Sequence, residues 1–405
     1  MSDGRGARRP RVLVLNQYFW PGVEATAHLL SELTVALSDE FEITVVTGLV
    51  PDATEPGRAQ LDGVEIVRVR STAFDRRRLL LRATNYLTYL AQSLVEALRA
   101  EPPDVVLCMT DPPVIADVAL LVARRFGVPL VVISQDVFPE VAVELDRLDN
   151  PALIGALRFA IRFYLQRADR VVAIGETMRL RLESKGADPK RVVVIPNWVD
   201  AAALEPRPHD NAWAREHELD GKFVVMHSGN IGHAQDLDAL VRAATFLRDL
   251  DDLRIVLIGG GARRDELKAL ARLLEVDQAR FFGYQPREVL PESLSAAHVH
   301  VVGLARGLSG YVVPSRFYGV LAVGRPVIAA ADADSETAQI VEDVGCGLVV
   351  PPGRPELLAA AIRRAHDGEL DLDAMGERGR AYVAAEADRS VAVDRYRRLL
   401  REVLA

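Results

Sequence analysis

Glycine-bearing turns stand out among the residues that could do chemistry. After an apolar run at Val12 to Leu15 comes Asn16-Gln17-Tyr18-Phe19-Trp20-Pro21-Gly22, and an amphipathic helix follows. Gly22 lets backbone approach a ligand, and the N–H groups of the next helix offer themselves to an anion. A tight turn with no ligand is the competing reading. Further on, Ser228-Gly229-Asn230-Ile231-Gly232-His233-Ala234-Gln235 occupies another strand-to-helix step. Gly229 and Gly232 shape a concavity suited to phosphate, and Asn230 and Gln235 are neutral donors beside it. Gly259-Gly260-Gly261 with Arg263 and Arg264 repeats the theme one strand later, unless that loop is merely flexible and its arginines solvated. The first turn lacks the G-x-G-x-x-G spacing, which removes the best support for a dinucleotide enzyme.

These turns need rigid elements to hold them. Short β-branched runs recur with helical patterns between them: Val12 to Leu15, Ile43 to Thr47, Val64 to Val69, Val105 to Met109, Leu130 to Ile133, Val171 to Ile174 and Val192 to Ile195. Such alternation predicts an α/β fold with a parallel sheet covered on both faces. The pattern restarts with Phe223 to His227, Arg254 to Ile258, His298 to Val302, Pro326 to Ala329 and Gly347 to Val350. A length of 405 residues suits two such domains, with a boundary expected near residues 200 to 215. Two doubly wound sheets direct their strand ends toward ligand-binding crevices, so the loops after strands are the place to look. The segment from Arg378 to Ala405 is helical in pattern and would cap the second domain or cross back to the first.

Bulk properties exclude other classes. A net charge of -8 speaks against a general nucleic-acid binder, which concentrates positive charge to release counterions. No stretch approaches the roughly 18 apolar residues needed to span a bilayer, and no apolar signal core opens the chain, so a cytoplasmic location is expected. Cys108 and Cys346 sit in apolar runs without metal-ligand spacing and are expected to be buried free thiols.

The richest segment runs from Gly307 to Ala329 and contains Gly310, Pro314-Ser315-Arg316-Phe317-Tyr318 and Gly324-Arg325-Pro326-Val327-Ile328. Together with Asn16 to Pro21, Gln135-Asp136-Val137-Phe138-Pro139-Glu140, Val194 to Asp200, Gly229 to Gly232 and Ser335-Glu336, it resembles family-4 glycosyltransferases of the GT-B fold, especially the branch that builds bacterial exopolysaccharide and O-antigen units. The resemblance extends over nearly the whole chain. It implies an acceptor domain over 1–205, a donor domain over 206–380 and a terminal helix over 381–405. It further implies a nucleotide-diphosphate sugar as donor and no metal or other cofactor, with base contacts near Phe282-Gly283-Tyr284 and the diphosphate over the glycine turns. Arg316 would be the countercharge to the leaving diphosphate, which gains negative charge as the glycosidic bond breaks. Gly260, Gly310, Ser315 and Tyr318 belong to the same expected donor site.

Several positions depart from the family pattern. Two glutamates separated by seven residues are common before the Gly-x-Pro-Val-Ile step, whereas Tyr311 and Gly319 stand here. Glu336 is a candidate for the missing ribose contact. The Arg and Lys that face the diphosphate in relatives fall on Asn230 and Gln235. In the first domain, where many relatives carry a histidine, Asp136 or Glu140 could steer the acceptor hydroxyl or take its proton, and Asp111 is another candidate. Asp332-Ala333-Asp334 has the look of a metal-binding D-x-D but lacks a third acidic partner, so an ordinary polar loop is expected there.

Between residues 68 and 99, seven arginines (Arg68, Arg70, Arg76, Arg77, Arg78, Arg82 and Arg99) face only Asp75 and Glu96. That segment either docks the enzyme on the inner face of a membrane bearing a lipid-linked acceptor or is a sheet-packing helix with a basic start. The expectation is therefore a retaining hexosyltransferase of surface-polysaccharide or glycoconjugate assembly. A nucleotide-sugar epimerase of the same fold and a catalytically silent nucleotide-binding partner remain open.

Overall fold

The computed structural model describes residues 8–22, 24–50, 53–70, 72 and 79–405, with only the backbone over 79–83. It divides into two compact units, the first comprising residues up to Val143, Leu148–Ile195 and Val393–Ala405, the second Glu144–Arg147 and Pro196–Ala392.

The first unit runs β1 (Arg11–Leu15), α1 (Ala25–Leu37), β2 (Glu42–Thr47), β3 (Gly57–Leu61), β4 (Val64–Arg68), α2 (Leu79–Arg99), β5 (Val105–Met109) and α3 (Ile115–Phe126). It continues with β6 (Leu130–Ser134), α4 (Glu140–Glu144), α5 (Pro151–Leu165), β7 (Arg170–Ala173), α6 (Glu176–Ser184) and β8 (Val192–Val194). Its eight strands lie in the order β3-β4-β2-β1-β5-β6-β7-β8, all parallel except the β3–β4 hairpin. β5 and β6 are buried along their whole length, as expected of central strands covered by helices on both faces.

The second unit carries α7 (Ala212–Glu216), β9 (Phe223–Ser228), α8 (Leu237–Ala243), β10 (Leu253–Ile258), α9 (Arg264–Leu273), β11 (Ala279–Phe282), α10 (Leu290–Ser295) and β12 (Val299–Gly303). Then come α11 (Arg316–Ala322), β13 (Val327–Ala330), α12 (Glu336–Val344), β14 (Gly347–Val350), α13 (Pro355–His366) and α14 (Leu372–Tyr382), after which α15 (Arg389–Leu404) passes from the second unit into the first at Val393. Six parallel strands order as β11-β10-β9-β12-β13-β14. Val225, Ile255, Leu257, Val301 and Ile328 on one face pack against Leu240, Val241, Leu358 and Ile362 of α8 and α13. On the other face Phe317, Tyr318 and Leu321 of α11 meet Val302, Val327 and Ala329.

Each sheet therefore has one place where strand order reverses, between β1 and β5 and between β9 and β12. In doubly wound sheets that reversal opens a crevice at the carboxyl ends of the strands, because the helices after the two neighbours leave on opposite faces.

Two strands escape the sequence reading, β3 and β11. The chain passes from the first unit into the second after Ile195, ahead of the boundary expected near residues 200 to 215, because residues 196–215 pack with the second sheet. Arg325 donates to Arg207 O at 2.7 Å, and Trp213 is buried against Met226 and Val256. The chain's end bonds within the first unit, where Arg401 grips Glu40 at 2.6 and 2.7 Å and Arg397 reaches Asp39. Both cysteines are buried and free. Of the basic segment, Asp75, Arg76, Arg77 and Arg78 lie outside the described residues, as does the Arg82 side chain. Arg68 is buried, donating to Trp20 O at 2.7 Å, so it adds nothing to a surface patch, and Arg99 pairs with Glu96.

Candidate functional site

The reversal between β9 and β12 collects the second unit's glycine turns. β9 runs apolar through Val224-Val225-Met226 and then becomes polar at His227 and Ser228, still inside the protein at His227. Gly229 follows with φ +139°, a backbone state that L side chains rarely adopt. The loops after β9 and β10 cross so closely that a Cβ on Gly259 would lie 1.9 Å from Gly229 O, and one on Gly261 would lie 2.3 Å from Ile231 O. These glycines are needed first for backbone to pass backbone. The crossing is tied by Gly229 N to Ile258 O at 2.8 Å and Ile231 N to Gly260 O at 2.7 Å.

Into this crossing α11 sends Arg316 from its first residue. A Cβ on Gly229 would sit 2.8 Å from Arg316 Nη1 and 2.9 Å from Cζ, so this glycine makes room for the guanidinium. Nη1 donates to His227 Nε2 at 2.6 Å and to Asn230 O at 3.2 Å. The imidazole can accept only if it is neutral with its proton on Nδ1, and Nδ1 duly faces Val301 O at 3.3 Å. Burial, and then the adjacent Arg316 charge, push the His227 pKa well below its usual value, which keeps the ring in that neutral form. Surrounding protein lowers the Arg316 pKa to about 10, still cationic at neutral pH. Its Nε is buried without a hydrogen-bond partner. One end of the guanidinium is thus pinned, and the Nε side, the edge that grips two oxygens of one phosphate, has an unused donor. His227 is a site residue that the sequence reading missed; the signal was a histidine closing an otherwise apolar strand immediately before a glycine turn.

Other expected donor residues fall into two groups. Asn230, Gly232, Gly260 and Tyr284 lie with Arg316 around the crossing, and Tyr284 is exposed, with its hydroxyl on Gly260 O at 3.2 Å and its ring against the Gly260 α-carbon. Ser315 immediately precedes α11, and Gly310, at φ +75°, shapes the loop leading to it. Gln235, by contrast, turns inward and accepts from Gly232 N at 2.9 Å, so its amide oxygen builds the turn. Arg263 is held by Asp238 and Glu266 at 3.0 and 2.9 Å, which neutralises the charge expected there for phosphate. Tyr318 is fully buried in the core with its hydroxyl unpartnered, because α11 presents it to the sheet rather than to the loops. Gly319 packs on the same helix beside Leu204 and Leu294. Glu336 opens α12, half-buried, behind the Ser335 cap. Asp332 accepts from Gly307 N at 2.8 Å, and Asp334 O accepts from Ser309 at 2.7 Å, so this triplet braces a loop. Among the described residues no three His, Cys, Asp or Glu side chains are placed to hold a metal ion.

In the first unit the reversal lies between β1 and β5. Gln17 N bonds Asp111 O at 2.9 Å, and Gln135 N bonds Thr110 Oγ1 at 3.1 Å, which ties the ends of β1, β5 and β6 together. Buried Asn16 and Gln17 each keep a side-chain carbonyl oxygen without a partner. Asp136 follows on the β6 end, with its side chain reached by water. The protein around it and then the Asp111 carboxylate push its pKa up to about 7, while solvent access opposes the first of these. Glu140 is elsewhere engaged, clamped by Lys185 and by Arg158 at 3.0 Å, so its carboxylate serves as an ion-pair anchor rather than as a base. Gly22 is buried in a turn closed by its N–H on Phe19 O at 2.8 Å, where a Cβ would meet Glu24 Oε2 at 2.7 Å.

Comparison with known proteins follows the same division. The glycosyl transferase 4-like domain matches residues 22–198, and the glycosyl transferases group 1 domain matches 210–382. The chain is 27% identical over 402 residues, 98% of both proteins, to a probable glycosyltransferase, WbjE, of Pseudomonas aeruginosa. It is 31% identical over 205 residues, half of each chain, to the putative colanic acid biosynthesis glycosyl transferase WcaI of Escherichia coli K12. The fold is GT-B, similar for instance to Anabaena HepE solved with UDP-glucose, with a TM-score of 0.72 at 16% identity over 97% of this chain and 99% of that one.

Proposed function

This chain belongs to the family-4 glycosyltransferases, and from that premise we propose that it moves a hexosyl group from a nucleotide-diphosphate sugar to an acceptor hydroxyl, with retention at the anomeric carbon. The carrying observation is Arg316: a pinned guanidinium with a free Nε donor, seated where two glycine turns cross at a strand-order reversal. In the reaction the bond from the anomeric carbon to the phosphate oxygen breaks, and its electron pair stays on that oxygen. A fixed cation beside it stabilises the developing charge more than the ground state, which is the condition for acceleration. The acceptor oxygen bonds to the anomeric carbon on the face that the diphosphate leaves, and its proton passes to the departing phosphate oxygen or to Asp136. Arg316 supplies the countercharge, so transfer runs without a metal.

The first unit's strand ends suit the acceptor, since the free carbonyl oxygens of Asn16 and Gln17 and the carboxylates of Asp111 and Asp136 accept hydrogen bonds from sugar hydroxyls. The names of WcaI and HepE, one tied to colanic acid and the other to UDP-glucose, support a role in surface-polysaccharide or glycoconjugate assembly with a nucleotide-sugar donor. Incubation with UDP, GDP and dTDP sugars plus candidate acceptors tests the proposal. Nucleotide released only when acceptor is present is the expected result, still obtained in EDTA. A changed sugar without release would make the chain an epimerase, and binding without turnover would make it a silent partner.

A further inference from the structure

α5 is unusual for a surface helix. Its sequence from Pro151 to Leu165 is apolar apart from Arg158 and Arg162, and Gln166 and Arg167 continue it, so not one acidic residue occurs over 151–167. Asn150 caps it through Ala152 N and Leu153 N at 3.0 and 3.1 Å, and Ile161, Tyr164 and Leu165 bury its inner face. The outer face should then be polar, yet Ala152, Leu153, Gly155, Ala156 and Phe159 all meet solvent, Phe159 with 73% of its surface. Neighbouring α3 extends the same pattern: Leu121 is 53% exposed, with Arg124 and Arg125 one turn on. The two helices meet at a ring cluster, where Phe159 lies 6.4 Å from Phe163, and the guanidiniums of Arg124 and Arg167 stack on Phe163 at 5.7 and 4.0 Å.

We propose that this α3–α5 face docks on an anionic lipid surface. Phe159, Leu153 and Leu121 enter the headgroup boundary, and Arg124, Arg125, Arg162 and Arg167 meet the phosphates around them. The charge pattern selects this occupant. A second copy seated face to face about a two-fold axis would set arginine against arginine with no acid in between. An anionic leaflet instead supplies a sheet of partners to every guanidinium while taking up the apolar side chains. The acids nearest the face do not cancel it: Glu140 is already shared between Lys185 and Arg158, Asp149 lies beyond the helix N-terminus, and Asp117 of α3 is half-buried, with burial raising its pKa. No described helix is long and apolar enough to cross a membrane, so α5 lies on the surface rather than through it.

Flotation of the full chain with phosphatidylcholine vesicles, with and without phosphatidylglycerol, tests the assignment. Binding should require phosphatidylglycerol and fall as salt rises. Phe159→Ser should lower partitioning about ten-fold, with an unchanged thermal melt because the ring is exposed. Equal binding to both vesicles, or none, overturns the proposal. So does a concentration-dependent dimer in sedimentation that Phe159→Ser abolishes, which would give the face to a second copy. Binding that survives Phe159→Ser but is lost when Arg76, Arg77 and Arg78 become serine would move the docking surface to another segment and overturn this one.

Discussion

The two strand-order reversals share one topology and carry different chemistry. Between β9 and β12 the loops are glycine-built, tightly crossed and armed with a cation. Between β1 and β5 the loops carry amides and carboxylates, and the nearby cation Arg68 is turned inward onto Trp20 O. A parallel sheet therefore supplies only the crevice, and what it grips is set by a few side chains at the strand ends. A guanidinium with an unused donor suits a diphosphate. Unpartnered carbonyl oxygens and a carboxylate with its pKa raised to about 7 suit hydroxyl groups.

The sharpest break of that comparison is Arg316→Ala. Losing a preorganised donor to the leaving group should lower kcat by about 10²- to 10³-fold with the fold intact; unchanged turnover would take the diphosphate away from this crossing. Next is His227→Phe, which removes the acceptor that pins Nη1 and should lower kcat/KM about ten-fold, the value of one well-placed hydrogen bond. His227→Gln, whose amide oxygen can accept from Arg316, should recover most of the loss, and a Gln variant no better than Phe would reduce His227 to a space-filler. On the acceptor side, the Asp111 carboxylate holds the Asp136 pKa above the usual carboxylate value, so a base role makes kcat/KM rise as pH climbs through its ionisation. Asp136→Asn should flatten this limb while leaving nucleotide affinity alone. The smallest effect on catalysis is expected of Glu140→Gln. Leaving Lys185 and Arg158 without their shared carboxylate should cost about 1–2 kcal/mol of stability in a thermal melt, with turnover per folded molecule unchanged.

How much of this was legible beforehand differs between backbone and side chains. Central strands such as Val105 to Met109 announce themselves because burial on both faces demands unbroken apolar runs. β3 does not, since Gly57-Arg58-Ala59-Gln60-Leu61 is a largely exposed edge, although Asp62-Gly63 before Val64 is the tight-hairpin signal that would have found it. β11 hides for a similar reason, with Arg280 exposed in a four-residue strand at the sheet edge. The glycine turns were visible in the sequence, and the family resemblance singled out Arg316. Whether an arginine's charge is neutralised is a tertiary fact: Arg263 has Asp238 and Glu266 within reach, whereas Arg316 is pinned by the neutral His227 and a backbone carbonyl. Glu140 likewise finds Lys185 across 45 residues of chain, which no local spacing could reveal.

The most direct test of the central claim is a thermal-shift titration of the wild-type chain and Arg316→Ala with UDP, GDP and dTDP. One of these nucleotides, at 100 times its dissociation constant, should stabilise the wild type by about 2.7 kcal/mol and leave the variant almost unmoved at that concentration. Equal shifts in both proteins would contradict the account.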